Sequence, residues 1–297
     1  MKRLVSFDWA IKKLLRNKAN FGILEGFLSE ILGQDLKIVE ILESEGNKES
    51  EDDKYNKVDI LVELNTTEIV LVEVQVNNEH DYFHRMLYGA SKVITEYIKE
   101  KQEYSNIKKV YSVNVLYFDL GHGSDYLYHG TTSFIGIHNH DVLDLSKKQK
   151  ELYQKKCVRD IYPEYYLIKV NQFNDIAKNT LDEWVYFLKN EEIKDDFHAK
   201  GLSEAKEKLD SLKLPPEERQ EYKRFLENIR YKLSMVESNF ASGKIEGLKE
   251  GLKEGIKEGK IEDAKKMKEL GIVKEMVQEI TGLDADEIDK VFDNVFK

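Results

Sequence analysis

Two runs of β-branched and aliphatic residues, Val58-Asp59-Ile60-Leu61-Val62-Glu63-Leu64 and Ile69-Val70-Leu71-Val72-Glu73-Val74-Gln75-Val76, flank the polar stretch Asn65-Thr66-Thr67-Glu68. Side chains of this kind suit a pleated, half-buried surface, so composition and period predict a β-hairpin. Alternation along a strand places Glu73 and Gln75 on one face and Val72, Val74 and Val76 on the other. A carboxylate among the aliphatic side chains of a central strand is costly unless a cation or a partner compensates it. The hairpin therefore constrains both the fold and the chemistry.

Its register supplies a test. With a two-residue turn at Thr66-Thr67, Asn65 pairs with Glu68 and Asp59 lies opposite Val74, on the wrong face for Glu73. A shift of one residue, from an odd-length turn or a bulge, brings Asp59 opposite Glu73 or Gln75 instead, and that irregularity is the expectation. Two carboxylates then converge, with a main-chain carbonyl and waters, on one hard cation. Mg²⁺ or Mn²⁺ fits, because Mg²⁺ takes few protein carboxylates and keeps several waters. Gln75 could orient an attacking water or hydrogen-bond a scissile phosphate. The competing reading is a solvated hairpin face bearing ordinary charges, and the short, degenerate spacing D-x(n)-E-x-Q does not separate the two.

Asp59 with Glu73-Val74-Gln75 resembles the active-site signature of the PD-(D/E)xK nuclease superfamily, in the form used by the Rpn family of recombination-promoting nucleases, also labelled transposases. The similarity continues in Phe7-Asp8-Trp9-Ala10-Ile11-Lys12-Lys13-Leu14-Leu15, in residues 20–32, in Asp81-Tyr82-Phe83-His84-Arg85-Met86-Leu87-Tyr88-Gly89-Ala90, in Tyr166-Leu167-Ile168-Lys169-Val170-Asn171-Gln172-Phe173, and in the charged Gly-repeat tail. The resemblance implies an α/β fold with a restriction-endonuclease-like core, a central mixed sheet flanked by helices, and a helical C-terminal extension. It implies a Mg²⁺-dependent DNA endonuclease, with Asp59 and Glu73 as metal ligands and Gln75 as the third catalytic residue.

Two departures stand out. Val58 replaces the proline of the superfamily name, a backbone matter. Gln75 replaces its lysine, so a neutral amide that only donates and accepts hydrogen bonds stands where a cation would face the phosphate, and cleavage is expected to be slow. Arg85 and Tyr88, three residues apart on one helical face, are candidates for phosphate contact or for bracing the site; a surface cation and a core-rim aromatic is the plainer reading of the pair. His80 is a further candidate for substrate contact. A nuclease fold kept as a weak or inactive binding or regulatory module, and a ribonuclease using the same site, stay open, because sugar recognition depends on groove shape.

A formal net charge of -10 over 297 residues opposes broad non-specific DNA affinity, so any DNA path must be local. Cys157 is the only cysteine, which excludes an internal disulfide and a Cys-rich zinc site. Asp8, Lys12 and Lys13 interrupt the opening stretch before a signal-like apolar run develops, and no apolar run approaches membrane-spanning length. A cytoplasmic protein with no membrane partner is the expectation. His80 and His84 have helical spacing for zinc but no third ligand, and His138-Asn139-His140 carries no metal-site spacing.

Periodicity predicts helix over residues 7–32, a strand at 37–43, a charged loop or flap at 43–56, helix over about 81–101, strands at 110–120, 131–138 and 165–173, and helix over 174–189. Three regions follow: a nuclease-like domain at 1–190, a charged helical region at 191–242, and a tail at 243–297. In the tail, Gly243, Gly247, Gly251, Gly255 and Gly259 recur every fourth residue. On a helix such a row drifts by only ~40° per step, leaving one stripe of glycines and another of Leu248, Leu252 and Ile256. Stripes of small residues permit close helix approach and hence a homo-oligomer through the tail. Each glycine also costs roughly 1 kcal/mol of helix stability against alanine, which equally fits a flexible linker. Residues 261–270, 273–280 and 284–296 read as three short helices, and Asp284, Asp286, Glu287 and Asp289 oppose a DNA-reading role for them. A small interaction or self-association bundle is the expectation there.

Overall fold

The two runs do form adjacent antiparallel strands, β2 (Ile60–Leu64) and β3 (Glu68–Gln75), each almost wholly buried. The computed structural model describes residues 4–42, 59–64, 68–97, 103–211 and 213–293; the expected flap at 43–56 and the turn at 65–67 lie outside them. Four further strands complete one sheet: β1 (Ile38–Leu42), β4 (Lys109–Leu116), β5 (Leu127–Gly130) and β6 (Glu164–Lys169), in the order β1-β2-β3-β4-β6-β5. β2 runs antiparallel to both β1 and β3, β3, β4 and β6 are mutually parallel, and β5 closes the far edge antiparallel to β6. The sheet is mixed, as a nuclease-like α/β core requires.

Helix α3 (Tyr82–Glu96) makes the parallel crossover from β3 to β4 and covers one face. Ala90 and Val93 from α3 pack on Leu61, Ile69, Leu71 and Val110, while Tyr82 and Met86 pack on Leu116, Phe118 and Leu167. Odd-numbered β3 residues thus face α3, and Val70 and Val72, both fully buried, face the other way. Helices α1 (Phe7–Lys13), α2 (Phe21–Leu32) and α5 (Thr180–Asn190) are tied by the ring contacts of Phe7, Phe27, Trp184 and Phe187. Gly26 is required in α2, because a β-carbon there would lie 2.1 Å from the Lys200 carbonyl oxygen. That close approach seats α6 (Leu202–Lys208), whose Leu202 and Ala205 are buried.

Several elements differ from expectation for local reasons. The stretch 7–32 is two helices, because Asn17 accepts the N–H of Ala19 and caps a short 3-10 turn, Lys18–Asn20, between them. No strand forms over 131–138, where only an isolated bridge joins Ile135 to Val142. β5 precedes that stretch, held by its ladder to β6 and by the stacking of His129 on Tyr166. β6 stops at Lys169 and turns through Val170–Gln172. α5 begins late because Asn179 caps it, accepting the N–H of Asp182 at 2.9 Å. α4 (Lys147–Tyr153) starts at a Ser146 capping box that periodicity did not signal.

The chain divides into two units, Met1–Tyr222 and Lys223–Lys297, the boundary falling within α7 (Pro216–Glu269), a helix of 54 residues. Pro216 is well placed as its first residue, where no intrahelical donor is needed. The glycine repeat lies inside this helix, so residues 243–259 are helical. Glu246, Glu250 and Glu254 each precede a lysine by three residues, a spacing that supports a helix against its glycines. In the second unit the last turns of α7 join α8 (Lys274–Thr281) and α9 (Ala285–Asp293) around Ala264, Val277, Leu283, Ile288 and Val291. Gly282 makes the turn between α8 and α9 at φ +61°.

Candidate active site

The β2–β3 ladder runs from Leu64 opposite Glu68 to Ile60 opposite Val72. Three residues therefore connect the final pair, an odd-length connection, and the same register continued one residue past the paired strand sets Asp59 opposite Glu73. The predicted shift of register is present. Asp59 precedes β2, and its Oδ2 accepts the N–H of Val74 at 2.7 Å. Its Oδ1 faces Lys12 Nζ of α1 at 3.5 Å, and Lys12 also pairs with Asp8, one turn back. Arg16 Nη2 donates to the Asp59 main-chain carbonyl at 2.7 Å.

Glu73 is only 4 % exposed on the face that α3 covers. The Tyr82 hydroxyl lies 3.2 Å from Glu73 Oε2 and 3.0 Å from Asn114 Oδ1, with one proton to give to two acceptors. Asn114 is fixed from behind, its Nδ2 donating to the carbonyl and hydroxyl oxygens of Ser112 at 3.1 and 3.0 Å. Arg85 Nε stands 3.4 Å from Glu73 Oε2, an ion-pair distance without hydrogen-bond alignment, so this buried N–H stays unspent. Arg85 Nη1 donates to both oxygens of Glu79, at 2.8 and 3.1 Å. Glu79 Oε1 also accepts from Gln75 Nε2 at 2.6 Å, and the same amide nitrogen reaches the Asn77 carbonyl at 3.3 Å. Both contacts are to acceptors, which fixes the amide orientation and turns Gln75 Oε1 away from them.

Electrostatics follow from burial. Desolvation pushes the Asp59 carboxyl above its ordinary range, against the pull of Lys12 and of the Val74 N–H. Desolvation likewise raises Glu73, more than Arg85 and the Tyr82 hydroxyl lower it, and the charge of Asp59 adds to the rise. Each ionised carboxylate is thus incompletely compensated, and the two repel. A small divalent cation would relieve both at once. Among the described residues no group of three or more His, Cys, Asp or Glu side chains converges. A donor set of two carboxylates suits Mg²⁺, which keeps most of its waters, and does not suit zinc.

The structure brings Asp59, Glu73, Gln75 and Arg85 to one end of the sheet. Tyr88 is 41 % exposed and His80 is exposed, and among the described residues neither makes a hydrogen bond or ion pair to the cluster. Glu79, Tyr82, Asn114, the α1 residues Asp8 and Lys12, and Arg16 in the turn after α1 belong to the cluster but escaped the sequence analysis. Asp8 and Lys12 carried a usable signal, an i,i+4 pair beside an apolar helical stripe. Asn114 was legible only as a lone polar residue in the strand Val113-Asn114-Val115.

A family model described as PD-(D/E)XK nuclease family transposase matches residues 5–238, which contain every residue of this cluster. No curated protein and no solved structure matches the chain significantly.

Proposed function

The chain belongs to the PD-(D/E)XK nuclease family of transposases, and on that premise we propose that it is a metal-dependent DNA endonuclease whose centre is Asp59, Glu73 and Gln75. The observation that carries this reading is the pair of carboxylates at one end of the β2–β3 hairpin, Asp59 half-buried and Glu73 buried, both raised by desolvation. Asp59 and Glu73 would hold Mg²⁺ or Mn²⁺, which when bound supplies an acidified water and neutralises charge on the phosphate. The chain's own groups prepare for this. The Val74 N–H orients Asp59 and leaves Oδ1 available. Tyr82 and Arg85 hold Glu73 Oε2, and α3 excludes bulk water from that side.

Gln75 takes the more specific of its two expected roles. Its amide donors are engaged by Glu79 and Asn77, so Oε1 is the atom it offers, and a carbonyl oxygen orients an attacking water by accepting one of its protons. The amide does not titrate and takes no proton away. Arg85, anchored on Glu79 and with its buried Nε turned to Glu73, takes the bracing role of its two expected ones.

DNA as substrate, the endonucleolytic mode and a cytoplasmic setting belong to this proposal. No helix among the described residues is long and apolar enough to cross a membrane. Self-association through α7 is also proposed, supported by Leu226, Ile229, Leu233, Val236 and Phe240 at alternating three- and four-residue spacing, with Leu233, Val236 and Phe240 exposed. Incubation of the purified protein with supercoiled plasmid and with RNA, with and without Mg²⁺, tests the reading. Metal-dependent nicking of the plasmid is expected; activity persisting in excess chelator, or confined to RNA, contradicts it.

A further inference from the structure

A cation faces the centre from outside the hairpin. Lys12 leaves the last turn of α1 with its side chain 42 % exposed, its Nζ 3.5 Å from Asp59 Oδ1 and paired with Asp8. Asp59 Oδ2 is committed to the Val74 N–H, so Oδ1 is the oxygen left for a metal ion, and the Lys12 ammonium stands next to it. The neighbouring cations are differently engaged: Arg16 binds the Asp59 carbonyl, and Arg85 forks onto Glu79. Lys12 and Arg85 both face a carboxylate that a divalent cation would itself neutralise, but Arg85 does so through a buried Nε while its Nη1 stays on Glu79, whereas Lys12 reaches Asp59 with an ammonium on a side chain 42 % exposed. Once Asp59 is neutralised, the ammonium loses one partner, while Asp8 keeps it nearby. A point charge on a flexible stem with three donors suits a non-bridging phosphate oxygen. The strand offers no such charge, because Gln75 stands where a lysine would.

We propose that Lys12 is a substrate-binding residue of this site, resting on Asp59 Oδ1 in the metal-free protein and passing to a phosphate oxygen when metal and nucleic acid are bound. The proposal rests on the nuclease reading above. It has two consequences of opposite sign. Lys12 opposes metal binding by like-charge repulsion and favours nucleic-acid binding by attraction. A lysine that merely braced Asp59 would favour metal binding, and its loss would loosen the site.

The test uses the full-length protein. Isothermal titration with MgCl₂ measures metal affinity, and fluorescence anisotropy of a labelled DNA duplex in CaCl₂ measures nucleic-acid affinity. Lys12→Met should tighten Mg²⁺ by about threefold or more and weaken the duplex by about tenfold, the scale of one cation beside a partly buried site. Lys12→Arg should restore most of the duplex affinity. If Lys12→Met lowers the melting temperature enough to compromise folding, Lys12→Gln carries the same two readouts. Mg²⁺ affinity unchanged or weakened, or duplex affinity unchanged, overturns the proposal. Failure of the underlying nuclease reading looks different: wild-type protein would give no Mg²⁺ heat, or Asp59→Ala would retain it, and both readings would then fall.

Discussion

Glu73 is 4 % exposed beneath α3, whereas Phe240 on α7 is 73 % exposed. The first unit pulls charge out of water and the second leaves apolar side chains in it, each against the ordinary preference of its residues. In the first, hydrogen bonds from Tyr82 and Val74 offset part of the cost, but burial still prevails over them and holds both carboxyls above their usual range. In the second, Leu233, Val236 and Phe240, on one face of one helix, are 46, 59 and 73 % exposed. Single exposed apolar residues need no explanation, but a row of them along a helix does. The two regions are incomplete in opposite senses. One holds carboxylates out of water and the other holds apolar side chains in it.

The largest expected effect lies in the charged region. Asp59→Ala and Glu73→Ala should each reduce plasmid nicking by roughly a thousandfold or more, as loss of electrostatic stabilisation at a phosphoryl centre does. Full activity in either variant would break the comparison by making the buried charges ordinary. Gln75→Met, which removes the acceptor and keeps the size, should slow cleavage by about 10- to 100-fold and leave Mg²⁺ affinity unchanged in a calorimetric titration. Gln75→Lys should form an ion pair with Glu79 and retain cleavage; inactivity in a folded Gln75→Lys protein would show that the acceptor geometry is indispensable.

The apolar region responds in mass. Replacing Gly247, Gly251 and Gly255 by Leu fills space that is open around each glycine and raises helix propensity by roughly 1 kcal/mol per site. If α7 associates through its glycine stripe, light scattering should show dissociation of a more helical protein. If the apolar row from Leu226 to Phe240 is the seam instead, Val236→Arg should dissociate it and the glycine variant should not. Unchanged mass in both would remove self-association from the account.

The smallest effect is on metal-free stability. A carboxyl whose folded pKa is raised holds its proton more tightly in the folded state than in the unfolded one. Its stabilising contribution is fully present below the ordinary carboxylate pKa and is lost as pH rises through the raised value. Metal-free protein should therefore melt higher on mild acidification through that window. Glu73→Gln should flatten this dependence and raise the neutral-pH midpoint by roughly 2–4 °C, about 1 kcal/mol in a domain of this size. A lowered midpoint would show that Glu73 is fully compensated without metal.

The hairpin and its register were legible because a one-residue slip exchanges the two faces, and only one register brings Asp59 to Glu73. The parallel strands and α3 were legible from period alone. β5 was not, since Thr131-Thr132-Ser133-Phe134 has as much strand character as Leu127-Tyr128-His129-Gly130, and pairing with β6 decides between them. Lys12 and Glu79 were hidden for a different reason. Charged residues outside strands read as solvated, and only the fold places Lys12 against Asp59 and Glu79 against both Gln75 and Arg85. The glycine repeat left linker and helix in balance because the helix cost of each glycine opposes the packing stripe that its spacing makes, and the helix prevails over its whole length.

The account stands on a cation shared by Asp59 and Glu73. Anomalous diffraction from crystals of the full-length protein soaked in Mn²⁺ addresses this most directly. The account predicts a peak about 2.0–2.2 Å from a carboxylate oxygen of each residue, lost in Asp59→Ala. A peak elsewhere, or none with both carboxylates ordered, would contradict it.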